Sequence, residues 1–253
     1  MNVVDRLNDI SEEFNSDYAS VMYYTLLGLL LKKQKQFIEA ISIIDDGLLT
    51  AQKIGFRNRS LSFLGMLLQI QVKLSRFEDI DCTLKCIEEY ISNEKRIVPY
   101  HYSCYILGLF LYHLYCLENA IHSQNMEEIS KYKNLASQTS IKIRQNAKKV
   151  FSIKTQSFRL MGRYYWVLDK QRKALRWWNK SMQVGEEIGA RPDLSRTYFE
   201  VGKRLLESQS KYKTLNGKEA NHYLNKAREL FEAMNLKHDL AESRYDNAVP
   251  ENR

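Results

Sequence analysis

The sequence has few of the residues that make turns. Its 253 residues include only 10 glycines and 3 prolines, about 5% combined, against roughly 12% in average proteins. A β-sandwich or β-barrel needs turn residues every ~8–12 positions, so this scarcity argues against both. Hydrophobic residues make up 44% of the chain and charged residues 27%, which is typical of a globular protein and argues against wholesale disorder.

Cysteine is also scarce, with four in the chain. Four are too few for a disulfide framework. Cys82 and Cys86 share one face of a predicted helix, and His101 and Cys104 follow after a predicted turn. The spacing of these four matches no common zinc motif, so buried thiols that pack as small hydrophobic residues are the favoured interpretation.

Motifs for catalysis are missing. The sequence contains no glycine-rich phosphate loop, no metal-ligand helix and no nucleophile elbow. The five histidines are scattered, and His113 with Cys116, three residues apart on an apolar helix, favours ordinary packing over a nucleophile pair. We therefore expect a protein that is not an enzyme, with no catalytic residues, no metal and no cofactor.

The start of the chain and its apolar runs bear on location. Residues 1–6 lack the basic start and apolar core of a secretory signal. The longest apolar stretches, 21–31 and 103–117, fall short of the ~20 residues that span a bilayer. These features predict a cytoplasmic chain. Residues 100–117 are apolar nearly all round, which favours burial by flanking helices over a self-association surface.

Helical periodicity is what the sequence has in abundance. Between Gln36 and Gln52, apolar residues recur at the i, i+3, i+4, i+7 spacing of an amphipathic helix. The segment from Tyr18 to Leu31 is also helical in pattern and contains Gly28. A glycine inside a helix costs roughly 1 kcal/mol relative to alanine, so the close approach of a neighbouring helix is the expected reason for it.

Small residues recur at fixed separations along the chain. The three sets are Gly28, Ala40 and Gly55; Gly162, Ala174 and Gly189; and Gly202, Ala220 and Asn235. The first two sets have separations of 12 and 15 residues, and the third has 18 and 15. Six extra residues are therefore predicted to lengthen a turn within 208–218, and Asn235 is predicted to end its helix as glycine does elsewhere.

The spacing predicts an array of paired helices over residues 18–236. A short helix or cap is expected in 1–17, and a short helix and tail in 237–253. The predicted pairs are 18–54, 58–92, 97–141, 144–189 and 191–235.

The residue pattern of these pairs resembles the tetratricopeptide (TPR) repeat. The first helix carries the glycine, and the second carries alanine, a bulky residue and another small one. The bulky residues are Ile44, Trp178 and Leu224, and the small ones are Gly47, Ser181 and Ala227. The ~40-residue spacing, mainly within 172–240, is similar to the C-terminal repeats of large bacterial signalling ATPases and of ATPase-linked adenylate cyclases or kinases.

This resemblance implies an all-α, right-handed superhelix, or α-solenoid, of about five TPR-like helix pairs. Each pair buries a face against its neighbour, which leaves an open concave groove. Such a groove suits extended or helical peptides better than a water-excluded reaction site. The expected function is that of a non-catalytic protein- or peptide-binding module, a sensor or scaffold in a signalling system.

Positive charge is concentrated in one segment. Residues 142–180 contain twelve basic residues and one acidic residue, Asp169, so the rest of a chain of net charge +8 sums to −3. The same segment contains the aromatic residues Tyr164, Tyr165, Trp166, Trp177 and Trp178. Three interpretations stay open: a solvated outer face, a surface for an acidic protein or peptide, and a site for single-stranded nucleic acid.

The resemblance also implies which residues line the groove. In TPR arrays these are first-helix positions three before and one after the small residue. The resemblance places Arg159, Arg163 and Trp166 there in one unit and Phe199 and Lys203 in the next, and Arg196 lies one turn earlier on the same face. These six are the implied partner-binding residues. Arginine offers bidentate hydrogen bonds to carboxylates, so an acidic partner is expected. Arg163 stands where the carboxylate clamp of chaperone-binding repeats needs asparagine, which argues against a chaperone C-terminus.

Two alternative functions remain at this level. One is nucleic-acid binding through the basic 142–180 segment. The other is an intramolecular regulatory role in a larger ATPase or cyclase, in which the region reports ligand state to a nucleotide-binding domain.

Overall fold

The protein is all-α. The computed structural model describes residues 3–94 and 96–245, and these form helices apart from connecting turns and one short β-hairpin. They fall into two compact units that divide between Lys149 and Val150.

The first unit consists of seven helices within its described residues. These are α1 (Val3–Glu13), α2 (Asp17–Gln34), α3 (Phe37–Lys53), α4 (Arg57–Lys73), α5 (Phe77–Ser92), α6 (Pro99–His122) and α7 (Met126–Lys149). Each helix from α1 to α4 packs on the next, α5 packs on α4, and α6 packs on both α4 and α7. The connections are short, as expected for helices that are neighbours in both sequence and space.

Helix α4 is the centre of this unit, because α3, α5 and α6 all pack against it. Thirteen of its 17 residues are buried. Gly65 lets α6 approach closely, since a β-carbon built there would lie 2.5 Å from the carbonyl carbon of Cys104. The side-chain amide of Gln69 joins the same two backbones by donating to the carbonyl oxygens of Gly65 (3.1 Å) and Cys104 (2.7 Å).

The three glycines at the predicted small positions are packing positions. Each faces the bulky residue predicted for the second helix of its own pair. The pairs are Gly28 with Ile44, Gly162 with Trp178 and Gly202 with Leu224. A β-carbon on Gly202 would lie 2.6 Å from Leu224 Cγ, and one on Gly28 would lie 3.2 Å from Ile44 Cγ1. The sequence prediction of a close helix approach at these positions is confirmed.

The predicted helix ends are also confirmed. Gly55 and Gly189 follow their helices with φ of +68° and +65°, in the left-handed region that favours glycine. Asn235 has φ of +52° after α11 (Ala220–Ala233). Its N–H donates to the carbonyl of Glu232, and the next N–H donates back to Phe231, so the last carbonyls of the helix find donors.

The middle of the chain differs from the sequence prediction in two respects. Helix α7 continues to Lys149, past the predicted pair boundary at residue 141, and the next α-helix begins only at Lys154. Helix α6 spans 24 residues, so it is long and apolar enough to cross a membrane, whereas the apolar runs of the sequence looked too short. Half of its apolar window is nevertheless buried inside the protein, and a buried core helix passes the same test of length and composition.

The second unit has five α-helices and one hairpin among its described residues. After a 3-10 turn (Phe151–Ile153) come α8 (Lys154–Val167), α9 (Gln171–Glu187), α10 (Arg191–Leu206), strands β1 (Thr214–Leu215) and β2 (Lys218–Glu219), α11 and α12 (Lys237–Tyr245). Helix α8 pairs with α9, and α10 pairs with α11. Their apolar faces enclose a core around Trp178 and Phe231, both fully buried.

The six extra residues predicted within 208–218 form the β-hairpin. Thr214 pairs with Glu219 and Leu215 with Lys218. Asn216 and Gly217 make the turn with φ of +51° and +72°, the left-handed values that make Asn-Gly the strongest two-residue hairpin signal.

Two buried histidines predict a pH-dependent stability for the first unit. Burial, together with the charge of Arg59, lowers the pKa of His101 to about 4, and burial lowers that of His113 to about 4. The unfolded chain, with histidine pKa near 6.5, binds more protons between these values, so stability is complete above pH ~6.5 and falls toward pH 4. Each histidine should cost roughly 1–2 kcal/mol between pH 7 and pH 5.

Urea unfolding followed by circular dichroism at pH 7 and pH 5 checks this expectation. In His113→Gln, whose side chain does not titrate, the loss between the two pH values should shrink by the share of that histidine. An unchanged loss in this variant would show that His113 is not the group responsible.

Candidate functional site

The six predicted partner-binding residues lie on two helices of the second unit. Arg159, Arg163 and Trp166 belong to α8, and Arg196, Phe199 and Lys203 belong to α10. Helix α10 packs against α8. We call these residues the α8–α10 face.

Two of the arginines on this face are paired with carboxylates of the chain itself. Arg159 Nη1 lies 3.3 Å from Glu200 Oε2 on the neighbouring helix, with both side chains about 15% exposed. Arg196 donates to both carboxylate oxygens of Asp239, over 3.0 and 2.8 Å. Asp239 is buried, so this bidentate pair fixes α12 to α10.

The two aromatic residues of the face belong to the core. Trp166 is buried against Trp178, with ring centroids 5.5 Å apart, and its Nε1 donates to Glu207 over 2.9 Å. Phe199 is buried edge-on against Phe231, at 6.1 Å. Neither ring offers much surface to a partner.

The remaining two residues also have interactions within the chain. Lys203 Nζ lies 5.4 Å from the centroid of the Phe199 ring. Arg163 also has an interaction within the chain. The predicted residues are therefore brought together in space, but they stabilise the packing of α8, α10 and α12. A carboxylate of a partner would have to compete with Glu200 and Asp239 for the arginines.

A row of exposed positive charge lies on α9. Its four basic side chains, Arg172, Lys173, Arg176 and Lys180, are all exposed. They extend over nine residues, or about 12 Å of helix. Neither Arg172 nor Arg176 forms an ion pair with any residue that the structure describes. Helical spacing places the four on the side opposite the buried stripe that contains Trp178.

Aromatic rings border this row of cations. Lys180 Nζ lies 4.8 Å from the centroid of the partly buried Trp177 ring, and Lys173 Nζ lies 5.7 Å from that of Tyr165. Trp177 packs on Phe158 of α8, at 5.2 Å. These contacts keep the two lysine side chains close to the surface of α9. Their charges therefore remain part of the row of cations on this helix.

The β-hairpin and the turn before it add three lysines along the other side of α9. The turn is bound to the start of α9, since Gln171 Nε2 donates to Gln209 O (3.0 Å) and Gln171 Oε1 accepts from Lys211 N (2.9 Å). Farther along, Asn216 Nδ2 donates to Asn179 Oδ1 over 2.6 Å. The hairpin therefore follows α9 over about two turns.

We name the resulting surface the α9–hairpin surface. Its exposed basic residues are Lys170, Arg172, Lys173, Arg176, Lys180, Lys211, Lys213 and Lys218. The segments that carry them, 170–185 and 208–218, contain no aspartate or glutamate. Lys211 pairs with exposed Asp169 over 2.7 Å, whereas Lys213 and Lys218 form no ion pair within the described residues.

Sequence reasoning found part of this surface. The basic segment 142–180 includes the basic residues of α9. The resemblance to TPR repeats, however, implied groove residues on α8 and α10 instead. The hairpin lysines lay outside that segment. The sequence feature that could have identified these lysines is the predicted insertion, since residues 208–218 contain three lysines and no acidic residue.

His113 and Cys116, the two residues that the sequence offered as a nucleophile pair, are packed against other residues of the first unit. His113 Nδ1 lies 2.9 Å from Thr139 Oγ1 inside the first unit, and burial lowers its pKa to about 4. Burial is also the largest influence on the Cys116 thiol and raises its pKa. Among residues 3–94 and 96–245, no three or more histidine, cysteine or acidic side chains converge in a way that could hold a metal ion.

Comparison of the chain with family models and with curated protein sequences finds no match.

Proposed function

We propose that the chain is a non-catalytic interaction module that binds an acidic protein or peptide, as a sensor or scaffold in a signalling system. We further propose that its helix pairs are TPR-like repeats arranged as an α-solenoid. Support for the repeat comes from the glycine and bulky-residue pairs, which recur at 40-residue and longer separations and form the same close helix contact. Helix pairs of this kind present long surfaces to other macromolecules.

The α9–hairpin surface is the proposed site for the partner. The observation that carries this is the set of eight exposed cations in two neighbouring segments without one acidic residue. Lys211 is paired with Asp169, but the set as a whole carries an excess of positive charge, and such a surface attracts acidic groups and accelerates the encounter with them. Arg159 and Arg196 are charged as well, but their charge is matched by Glu200 and Asp239.

The first experiment reverses charge on α9. In Arg172→Glu/Arg176→Glu we expect binding of a fluorescein-labelled ten-residue polyglutamate peptide, measured by anisotropy at low salt, to weaken at least about tenfold, or ~1.4 kcal/mol. Both residues are exposed and make no ion pair with described residues, so the fold should be unaffected.

A matched control is available on α7. Lys131→Glu/Lys133→Glu changes the net charge by the same amount at two exposed positions of the first unit. If this control weakens peptide binding as much as the α9 variant does, the interaction depends on net charge alone, and the proposed surface is wrong.

Single-stranded nucleic acid is the second candidate partner, and the aromatic border of the surface favours it. Bases stack on exposed aromatic rings while phosphates contact basic residues. Lysines already lie over Trp177 and Tyr165, so we place the acidic protein first. A salt titration with labelled oligo(U) separates the two: absence of binding at low salt eliminates nucleic acid, since phosphate contacts are strongest there.

A further inference from the structure

Arg59, the third residue of α4, is a buried cation without a counter-ion. Only 8% of its surface is exposed, and it forms no ion pair with a carboxylate in the described part of the chain. Its Nε is buried and has no hydrogen-bond partner. Nη2 donates to Met22 Sδ over 3.3 Å, and a thioether sulfur is a weak acceptor. The buried guanidinium is therefore poorly compensated for the water it has lost.

Neutral aromatic rings lie beside Arg59. Its guanidinium lies 5.6 Å from the centroid of the Phe56 ring. Phe56 stacks on Tyr18 at 5.8 Å and meets the His101 ring edge-on at 6.4 Å. His101 is held 2.6 Å from Ser62 Oγ and, with its pKa near 4, is uncharged at neutral pH. Arg59 is thus the cation of this cluster.

The amino end of α4 adds positive potential at the same place. Its N-cap is Phe56, whose side chain cannot accept a hydrogen bond, and its first turn contains no acidic residue. The N–H groups of Arg57 and Arg59 donate to the carbonyls of Gly55 and Phe56, and the positive end of the helix dipole there favours an anion. Because helical side chains lean toward the amino end, Arg59 reaches back over the ring of Phe56, the N-cap residue of this helix.

We infer that Arg59 and the amino end of α4 form a binding site for a single carboxylate group of a ligand. The planar guanidinium matches a carboxylate with two parallel hydrogen bonds. One carboxylate also balances the one cation, whereas a phosphate group would bring a charge of about −1.5 to −2. Solvent reaches the edge of the site, since Tyr18 and Tyr100 beside it are 60% and 43% exposed. This site lies in the first unit and does not depend on the proposed function of the α9–hairpin surface.

Thermal unfolding with small anions tests the site. Sodium acetate should raise the Tm of the wild-type protein by about 2–4 °C over sodium chloride of equal ionic strength, with a saturable dependence on concentration. In Arg59→Met, which keeps the length of the side chain but not its charge, we expect no acetate-specific rise. Its Tm in chloride should equal or exceed that of the wild type, since a poorly compensated buried charge is gone.

Arg57→Met is the matched control, because Arg57 lies two residues earlier on α4, is exposed and pairs with Glu94. It should keep the acetate response. If Arg59→Met does not fold, Arg59→Lys replaces it and should lose at least half of the response, since lysine lacks the planar fork.

Three results would overturn the inference. They are equal effects of acetate and chloride on the wild type, a full acetate response in the Arg59 variant, and a larger rise with inorganic phosphate than with acetate.

Discussion

Replacing Gly65 by alanine should unfold the first unit or weaken it severely, by about 3 kcal/mol or more. The new β-carbon would meet the backbone of α6, at the N–H of Tyr105 and the carbonyl carbon of Cys104. Backbone of a packed helix cannot rotate away as a side-chain tip can, so α4 and α6 would have to separate. Urea unfolding followed by circular dichroism measures the loss.

Gly28→Ala is the matched control in the same unit. Its β-carbon would lie 3.2 Å from Ile44 Cγ1, a side-chain atom that can move by a few tenths of an ångström. Alanine is also the better helix former by roughly 1 kcal/mol. We expect a change within about 1 kcal/mol of the wild type. Equal losses in the two variants would show that Gly65 is not the point of closest helix approach.

Trp178→Ala should destabilise the second unit by about 3–5 kcal/mol, the usual cost of removing a large aromatic side chain from a core. Trp178 is completely buried. It fills the space opposite Gly162, packs on Trp166 and donates from Nε1 to the carbonyl of Arg159 over 3.2 Å. Its loss leaves a cavity between α8 and α9, and guanidinium chloride unfolding should show a lower midpoint.

Trp177 supplies the comparison, one residue away on the same helix. It is only partly buried and packs against Phe158 and Lys180. Trp177→Ala should cost no more than about 1–2 kcal/mol, because it removes surface contacts without opening a core cavity. A larger loss for Trp177→Ala than for Trp178→Ala would contradict the repeat register that assigns the core position to Trp178.

The sequence predicts the helix-pair contacts well, because their requirements are local. A glycine in the first helix opposite a bulky residue in the second lets the two helices approach closely, as at Gly162 and Trp178. Helix ends can be predicted equally well, because a residue that adopts the left-handed backbone conformation, such as Gly55 or Asn235, commonly follows the last turn. The middle of the chain lacks such marks, so the continuation of α7 to Lys149 was not predicted.

The proposed binding surface was harder to predict, because whether a charge is free depends on contacts between distant residues. Arg159 reads as a groove cation in the sequence, but Glu200 lies beside it in the fold. Arg196 is matched by Asp239, 43 positions later. Arg172 and Arg176 carry the same formal charge, and only the fold shows that neither forms an ion pair with a carboxylate of the described residues. Counting charges along the sequence identifies the basic segment 142–180, but it does not show which side of the folded helices carries the free cations.

One comparison of peptide binding tests the central claim most directly. Arg159→Glu/Glu200→Arg exchanges the two charges of an internal pair and leaves net charge unchanged, whereas Arg172→Glu/Arg176→Glu reverses the free cations of α9. Anisotropy with the labelled polyglutamate peptide should give wild-type affinity for the exchanged pair and at least about tenfold weaker binding for the α9 variant. Loss of binding in the exchanged pair, with wild-type affinity in the α9 variant, would place the partner on the α8–α10 face and contradict the account.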